Sequence, residues 1–183
     1  KEFNPSYIIN CSAMTNVDSC EFNRETAHNI NVRGLRNILH SIDSKTTIIQ
    51  ISSDYVFDGL KGPYSESDIT HPINYYGKTK LESENLLIGS NKNYLIFRTN
   101  VLFSDRLDNN SFFSWVINML KKERIFKVVD DQISNPTHTQ ILVKAIYKSI
   151  LLDIKGVYHI GSCDFLSRYE FASLIAEVFH YNQ

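Results

Sequence analysis

The chain has 183 residues, enough for one ordinary domain or a large part of a bigger one. Hydrophobic residues make up 43% and charged residues 21%, which excludes a disordered, collagen-like or coiled-coil chain. Nineteen Lys and Arg against 20 Asp and Glu leave a formal charge of -1, so the basic footprint of a nucleic-acid binder is missing. The longest apolar runs fall far short of a membrane span, and Lys1-Glu2-Phe3-Asn4-Pro5 lacks the apolar segment of a signal peptide. Cys11, Cys20 and Cys163 are odd in number and share no metal spacing, which predicts reduced thiols and a cytoplasmic protein without a metal site. No two of the seven glycines form a G-x-G.

Strand-length apolar runs alternate with amphipathic stretches. Ser6–Cys11 reads as a buried strand, and Ala27, Ile30, Val32, Leu35, Ile38 and Leu39 follow at helical spacing. Thr46–Ser53 is β-branched and strand-like, and ends in polar residues. A loop punctuated by Asp58-Gly59, Gly62-Pro63 and His71-Pro72 leads to a helix over Asn74–Leu87. Asn93–Arg98 is the next strand and Phe112–Leu120 the next helix. Phe126–Val129 reads as a short strand. Thr137 is placed as the N-cap of a helix to about Leu152. Gly156–Ile160 is a strand, and Ser167 caps a last helix through Phe179. This alternation predicts an α/β fold, a parallel sheet with helices on both faces. In such sheets chemistry sits beyond the carboxyl ends of the strands. The residues to inspect are therefore Asn10-Cys11-Ser12, Ser52-Ser53-Asp54 and Arg98-Thr99-Asn100.

Tyr76-Gly77-Lys78-Thr79-Lys80 opens a helix, with Ser53 ending a strand before it. Tyr76 and Lys80 are four apart and share a helical face. A free tyrosine, with a pKa of about 10, is a poor proton carrier near neutrality, and a cation one turn away favours its phenolate. Ser53 could donate to a carbonyl oxygen as charge develops there. The set suits hydride transfer at a carbonyl carbon, with Tyr76 handling the proton. A Y-x-x-x-K pair alone is equally a surface Tyr and Lys on a solvated helix.

The surroundings of the pair carry a resemblance. Ile51-Ser52-Ser53-Asp54-Tyr55-Val56-Phe57-Asp58-Gly59, then Pro63-Tyr64-Ser65-Glu66, then Pro72-Ile73-Asn74-Tyr75-Tyr76-Gly77-Lys78-Thr79-Lys80-Leu81-Glu82 resembles the extended short-chain dehydrogenase/reductase family, in its dTDP-4-dehydrorhamnose reductase branch. Asn10-Cys11-Ser12-Ala13 with Thr15, Val17, Asp18 and Glu21, Asn31-Val32-Arg33-Gly34, Val128–Gln132 through Asn135-Pro136-Thr137, and Ser167–Ala172 align in the same order. The resemblance implies a Rossmann-type sheet, incomplete here, with residues 1–104 as the second part of an NAD(P)-binding domain and 105–183 as mostly a substrate-binding region. It implies Ser53, Tyr76 and Lys80 as the catalytic residues. Asn10, Cys11, Ser12, Tyr76, Lys80, Thr99 and Asn100 would bind NADP or NAD, and Ser53, Tyr55 and Tyr76 would face a 4-keto nucleotide sugar. A homodimer is compatible with it. Asn31 is either a helix residue bonding backbone or part of a proton relay, and His71 and His159 read as structural.

Three departures from the family pattern matter. The chain starts at what would be the fourth strand, without the glycine-rich turn that receives a pyrophosphate, so a fragment is expected. Val101 stands where the reductases carry the tryptophan of R-T-S-W, and Ser134 replaces a loop glycine. The family also holds a regulatory, non-catalytic member, the β subunit of methionine adenosyltransferase, so a nucleotide-binding regulatory subunit is the alternative.

Overall fold

The computed structural model describes residues 3–107 and 111–181; Lys1 and Glu2 of the N-terminal reading lie outside the described residues. In chain order, β1 (Tyr7–Asn10) leads through α1 (Val17–Phe22), α2 (Arg24–His28), a π-helical turn (Asn29–Arg33) and α3 (Gly34–Ser41) into β2 (Thr47–Ser53). A 3-10 turn (Asp54–Val56) and a long loop precede α4 (Tyr75–Ile88), β3 (Asn93–Thr99) and β4 (Leu102–Phe103). Then come α5 (Phe112–Lys121), β5 (Ile133–Ser134), β6 (Thr137–His138), α6 (Thr139–Leu151), β7 (Gly156–Ile160), β8 (Leu166–Ser167) and α7 (Arg168–Val178). Two compact units result, Lys1–Arg98 with Ser149–His159, and Thr99–Lys148 with Ile160–Gln183.

The first unit holds the main sheet, in the order β1-β2-β3-β7. β1 and β2 run parallel, with Tyr7 opposite Thr47 and Asn10 opposite Gln50. Six of the seven residues of β2 are buried, as a central parallel strand covered on both faces requires. Leu35 and Leu39 of α3 and Leu87 of α4 pack on Ile48 and Ile96 of the sheet. The result is the expected α/β, Rossmann-type arrangement. The helix expected from Ala27 onward begins earlier, at Val17, where the Asn16 side chain accepts from the Ser19 N–H at 2.7 Å. It passes through the π-helical turn before α3 completes the apolar face.

In the second unit Phe113, Val116 and Ile117 of α5 pack on Phe171, Ala172 and Ile175 of α7. Two short ladders frame them, β4 with β6 parallel and β5 with β8 antiparallel. Ser167 caps α7 as expected: its Oγ accepts from the Glu170 N–H at 3.0 Å, and Glu170 returns the bond to the Ser167 N–H at 2.7 Å. Two local expectations are corrected. Phe126–Val129 forms no strand; Phe126 and Val128 lean on the apolar cluster as irregular chain. Thr137 is not an N-cap, because it pairs in β6 with Leu102 and its hydroxyl donates to the Asn135 carbonyl at 2.7 Å. The first turn of α6 meets His138 instead, whose Nδ1 accepts from the Gln140 N–H at 3.3 Å. Among the described residues no helix is long and apolar enough to cross a membrane.

Candidate active site

Ser53 is the last residue of β2 and caps the 3-10 turn after it, its Oγ accepting from the Tyr55 N–H at 3.3 Å and donating to Asp54 Oδ1 at 3.0 Å. α4 arrives opposite with its N-terminal N–H groups already engaged. Asn74 Oδ1 accepts from the Gly77 N–H at 2.8 Å, and Glu21 Oε1 accepts from the Tyr75 N–H at 2.6 Å. Gly77 is required by close approach: a Cβ there would lie 2.1 Å from the Tyr55 carbonyl oxygen. That missing side chain lets the first turn of α4 rest on the backbone beyond Ser53.

Ser53 and Tyr76 are thereby brought side by side, the Ser53 hydroxyl close enough to act on the Tyr76 phenol. The Tyr76 ring is buried, edge-on to Tyr55 at 5.7 Å and 71°, among Cys20, Ala27 and Met14. Burial pushes the Tyr76 phenol up to about 12; the neighbouring Ser53 hydroxyl opposes the rise, and Asp54, Cys20 and Tyr55 add to it. The expectation that the neighbouring cation draws Tyr76 toward neutrality is not met in this structure. Lys80, only 3% exposed, turns to the sheet, where Nζ donates to the Ile51 carbonyl at 2.6 Å. Burial lowers Lys80 to about 8, against the pull of Glu84 and Cys11. Tyr76 thus keeps its proton, and Lys80 remains largely charged at neutral pH.

The other predicted residues divide between architecture and open surface. Asn10 is pinned, with Nδ2 donating to Gln50 Oε1 at 2.8 Å and Oδ1 accepting from the Ser12 N–H at 3.1 Å. Cys11 and Ser12 are exposed just past it. Thr99 ends β3 with a buried hydroxyl that has no partner among the described residues. With its amide oriented to match, Asn100 donates to the Asn135 carbonyl at 2.5 Å and accepts from its N–H at 3.2 Å. Val101 sits at φ 40, a left-handed backbone that a β-branched residue rarely adopts, and its carbonyl accepts from the Thr137 N–H at 3.1 Å. Asn31 holds backbone: its Oδ1 accepts from the Met14 N–H at 2.7 Å, and Nδ2 donates to the Met14 carbonyl and to Thr79 Oγ1.

Sequence reasoning missed a buried ionic group beside this set. Arg98 of β3 donates to Glu84 of α4 from Nε at 3.2 Å and from Nη2 at 2.8 Å, and the Ser52 hydroxyl donates to Glu84 Oε1. Arg98 also lies over the Phe57 ring at 5.2 Å. The available signal was Arg98 itself, a charge at the end of the apolar run Leu95-Ile96-Phe97, since a buried charge needs a partner.

Known proteins share this arrangement of chain. A dTDP-4-dehydrorhamnose reductase of Aggregatibacter actinomycetemcomitans is 37% identical over 181 residues, covering 94% of this chain and 61% of the relative. Methionine adenosyltransferase 2 subunit beta of Bos taurus is 31% identical over 187 residues, covering 98% of this chain and 56% of the relative. Among solved structures, a dTDP-4-dehydrorhamnose reductase of Bacillus anthracis in complex with NADP superposes with a TM-score of 0.93 at 33% identity, over 99% of this chain and 64% of that one. The chain thus spans about three fifths of the length of these relatives. The model of the RmlD substrate binding domain matches residues 1–183 in full, and the chain belongs to that family.

Proposed function

We propose that the intact protein reduces a 4-keto nucleotide sugar with NADPH or NADH in the synthesis of dTDP-L-rhamnose; relatives similar to it are named dTDP-4-dehydrorhamnose reductases. The observation that carries the reading is the seating of the first turn of α4 on the Tyr55 backbone through Gly77, which brings the Tyr76 phenol beside Ser53 with the buried Lys80 ammonium one helical turn along. Three features suit a dinucleotide. Among the described residues Lys80 spends one donor on Ile51 and keeps others, Thr99 holds a buried hydroxyl without a partner, and Cys11 and Ser12 stand exposed past β1. When bound, the reduced nicotinamide supplies a hydride to the carbonyl carbon. Ser53 donates a hydrogen bond to the carbonyl oxygen, and Tyr76 transfers its phenolic proton to that oxygen as negative charge develops. Lys80 holds ribose hydroxyls. Asn10, Cys11, Ser12, Thr99 and Asn100 complete the cofactor-binding residues, and Tyr55 faces the sugar. Residues 1–104 are read as part of the cofactor domain and 105–183 as mostly the substrate region, in a cytoplasmic protein able to form a homodimer.

A second reading, a nucleotide-binding regulatory subunit, is favoured by one observation: Val101, in strained backbone, occupies the place of the reductases' tryptophan. NADPH and NADH oxidation by the intact protein with dTDP-4-keto sugars separates the two. Turnover supports the reductase. No turnover, together with altered activity of a methionine adenosyltransferase on mixing, supports the regulatory subunit.

A further inference from the structure

Glu84 has no part in the proton transfer described above, yet it is one of the most deeply placed charges in the chain, at 1% exposed. Its carboxylate gathers three elements. Ser52, the neighbour of Ser53 at the end of β2, donates its hydroxyl to Oε1. Arg98 at the end of β3 reaches both oxygens through Nε and Nη2. Lys80 lies one turn earlier on the same helix, so the two side chains share a face. The buried charges among these groups are two cations, Lys80 and Arg98, and one anion, Glu84.

An isolated buried ion pair is weak evidence of stabilisation, since desolvation offsets the attraction. The placement here has a different consequence. Arg98 occupies the Glu84 oxygens, which leaves Lys80 bonded to the Ile51 carbonyl rather than to the carboxylate. Lys80 therefore receives the field of Glu84 without surrendering its donors to it. The titratable groups acting on Lys80 are Glu84 from its own helix and Cys11 from the chain after β1, while β2 contributes only the Ile51 carbonyl. Cys11 is exposed, so Glu84 is the counter-charge that water does not screen.

We propose that Glu84 is a positioning residue for the Ser53–Tyr76–Lys80 set: clamped by Ser52 and Arg98, it fixes α4 against the end of β2 and serves as the buried counter-charge that keeps the Lys80 ammonium charged and free for ligand hydroxyls. The proposal rests on the reductase reading, in which Lys80 works as a cation. The low Lys80 value of about 8 is consistent with it, because burial has already brought the group near the range where losing an anion would discharge it.

The test is a titration of Lys80 in the intact protein carrying ε-13C-lysine, with the resonance assigned by its loss in Lys80→Arg. Glu84→Gln keeps the shape and deletes the charge, and the Lys80 midpoint is expected to fall by about one pH unit. Ser52→Ala removes one tie while leaving the charge, and the midpoint is expected to stay. Since removing one partner of a buried pair is strongly destabilising, Glu84→Gln/Arg98→Gln supplies a neutral amide pair in case the single variant does not fold; measured against Arg98→Gln, so that the lost cation cancels, its Lys80 midpoint is expected to lie lower. In the active enzyme the alkaline limb of kcat/KM should move down with the midpoint, because activity is lost as pH rises through the Lys80 pKa. A midpoint unmoved on deleting the Glu84 charge, in the parent or in the Arg98→Gln background, overturns the proposal. Because this titration needs no turnover, a shifted midpoint in a protein inactive on every 4-keto sugar would instead count against the reductase reading.

Discussion

Around Ser53, Tyr76 and Lys80 the buried polar atoms are tied to one another, whereas the unit built on α5 and α7 is held by rings and aliphatic side chains. Asn10 meets Gln50, Asn31 brackets Met14 and reaches Thr79, and Glu84 is shared by Ser52 and Arg98. In the other unit Phe103 packs on Phe113 at 5.3 Å and on Phe171 at 5.4 Å, and Phe112 lies 5.9 Å from Phe171. Hydrogen bonds fix direction as well as distance, and close-packed rings fix mainly volume. A proton donor must be held to a fraction of an ångström, which suits the first kind of construction. The first unit also carries costs that the second does not, a buried lysine and a phenol removed from water.

The first unit is most vulnerable at Gly77. Gly77→Ala drives a Cβ against the Tyr55 backbone, and a carbonyl cannot yield as a flexible side chain would. A loss of roughly 3 kcal/mol is expected, the upper end of ordinary overpacking, read as a fall in the denaturant midpoint at constant m-value. Wild-type stability for this variant would mean that α4 does not rest on that backbone.

Lys80→Met is expected to act in the opposite sense. The ordinary lysine value of 10.5 falls to about 8 on burial, so the folded chain releases the proton before the unfolded chain does. Below about pH 8 the folded state bears the full cost of the buried charge, and the cost fades as pH rises toward 10.5. Methionine should therefore raise stability at pH 7 by on the order of 2–3 kcal/mol, with the gain gone by about pH 10.5, while cofactor affinity drops. Urea melts of both proteins across that range are the check. A variant less stable at pH 7 would contradict the sign.

The smallest effect sharpens the picture of the second unit. Val101→Gly relieves a left-handed backbone, and relief of about 1 kcal/mol is offset in part by the freedom glycine adds to the unfolded chain. The thermal midpoint should move up or stay level. A clear decrease would show that the Val101 side chain contributes more than its backbone costs.

The sequence made the repeating parts of this molecule legible and left the paired parts obscure. β2 was readable because β-branched residues fill a strand buried on both faces, and α7 because Ser167 stands as an N-cap before it. Phe126–Val129 has strand composition but no ladder partner, and composition cannot report a partner's absence. The two-residue ladders of β4 with β6 and β5 with β8 are too short for any periodicity. At the site, Ser53, Tyr76 and Lys80 stood out through spacing and a resemblance that spans nearly the whole chain. Glu84 did not, because nothing local says which of the two carboxylates of α4, Glu82 or Glu84, will meet an arginine from the following strand. The direction of Lys80 was equally hidden, since four-residue spacing places it on the face of Tyr76 but does not choose between the phenol and the Ile51 carbonyl.

The central claim is that Tyr76 is the proton donor of a carbonyl reduction, and one substitution addresses it. Tyr76→Phe keeps the ring against Tyr55 and removes only the phenolic hydroxyl. In the intact protein, kcat for NADPH-dependent reduction of a dTDP-4-keto sugar should fall on the order of 100-fold or more, with the thermal midpoint little changed. Turnover equal to the parent in a folded Tyr76→Phe protein would contradict the account.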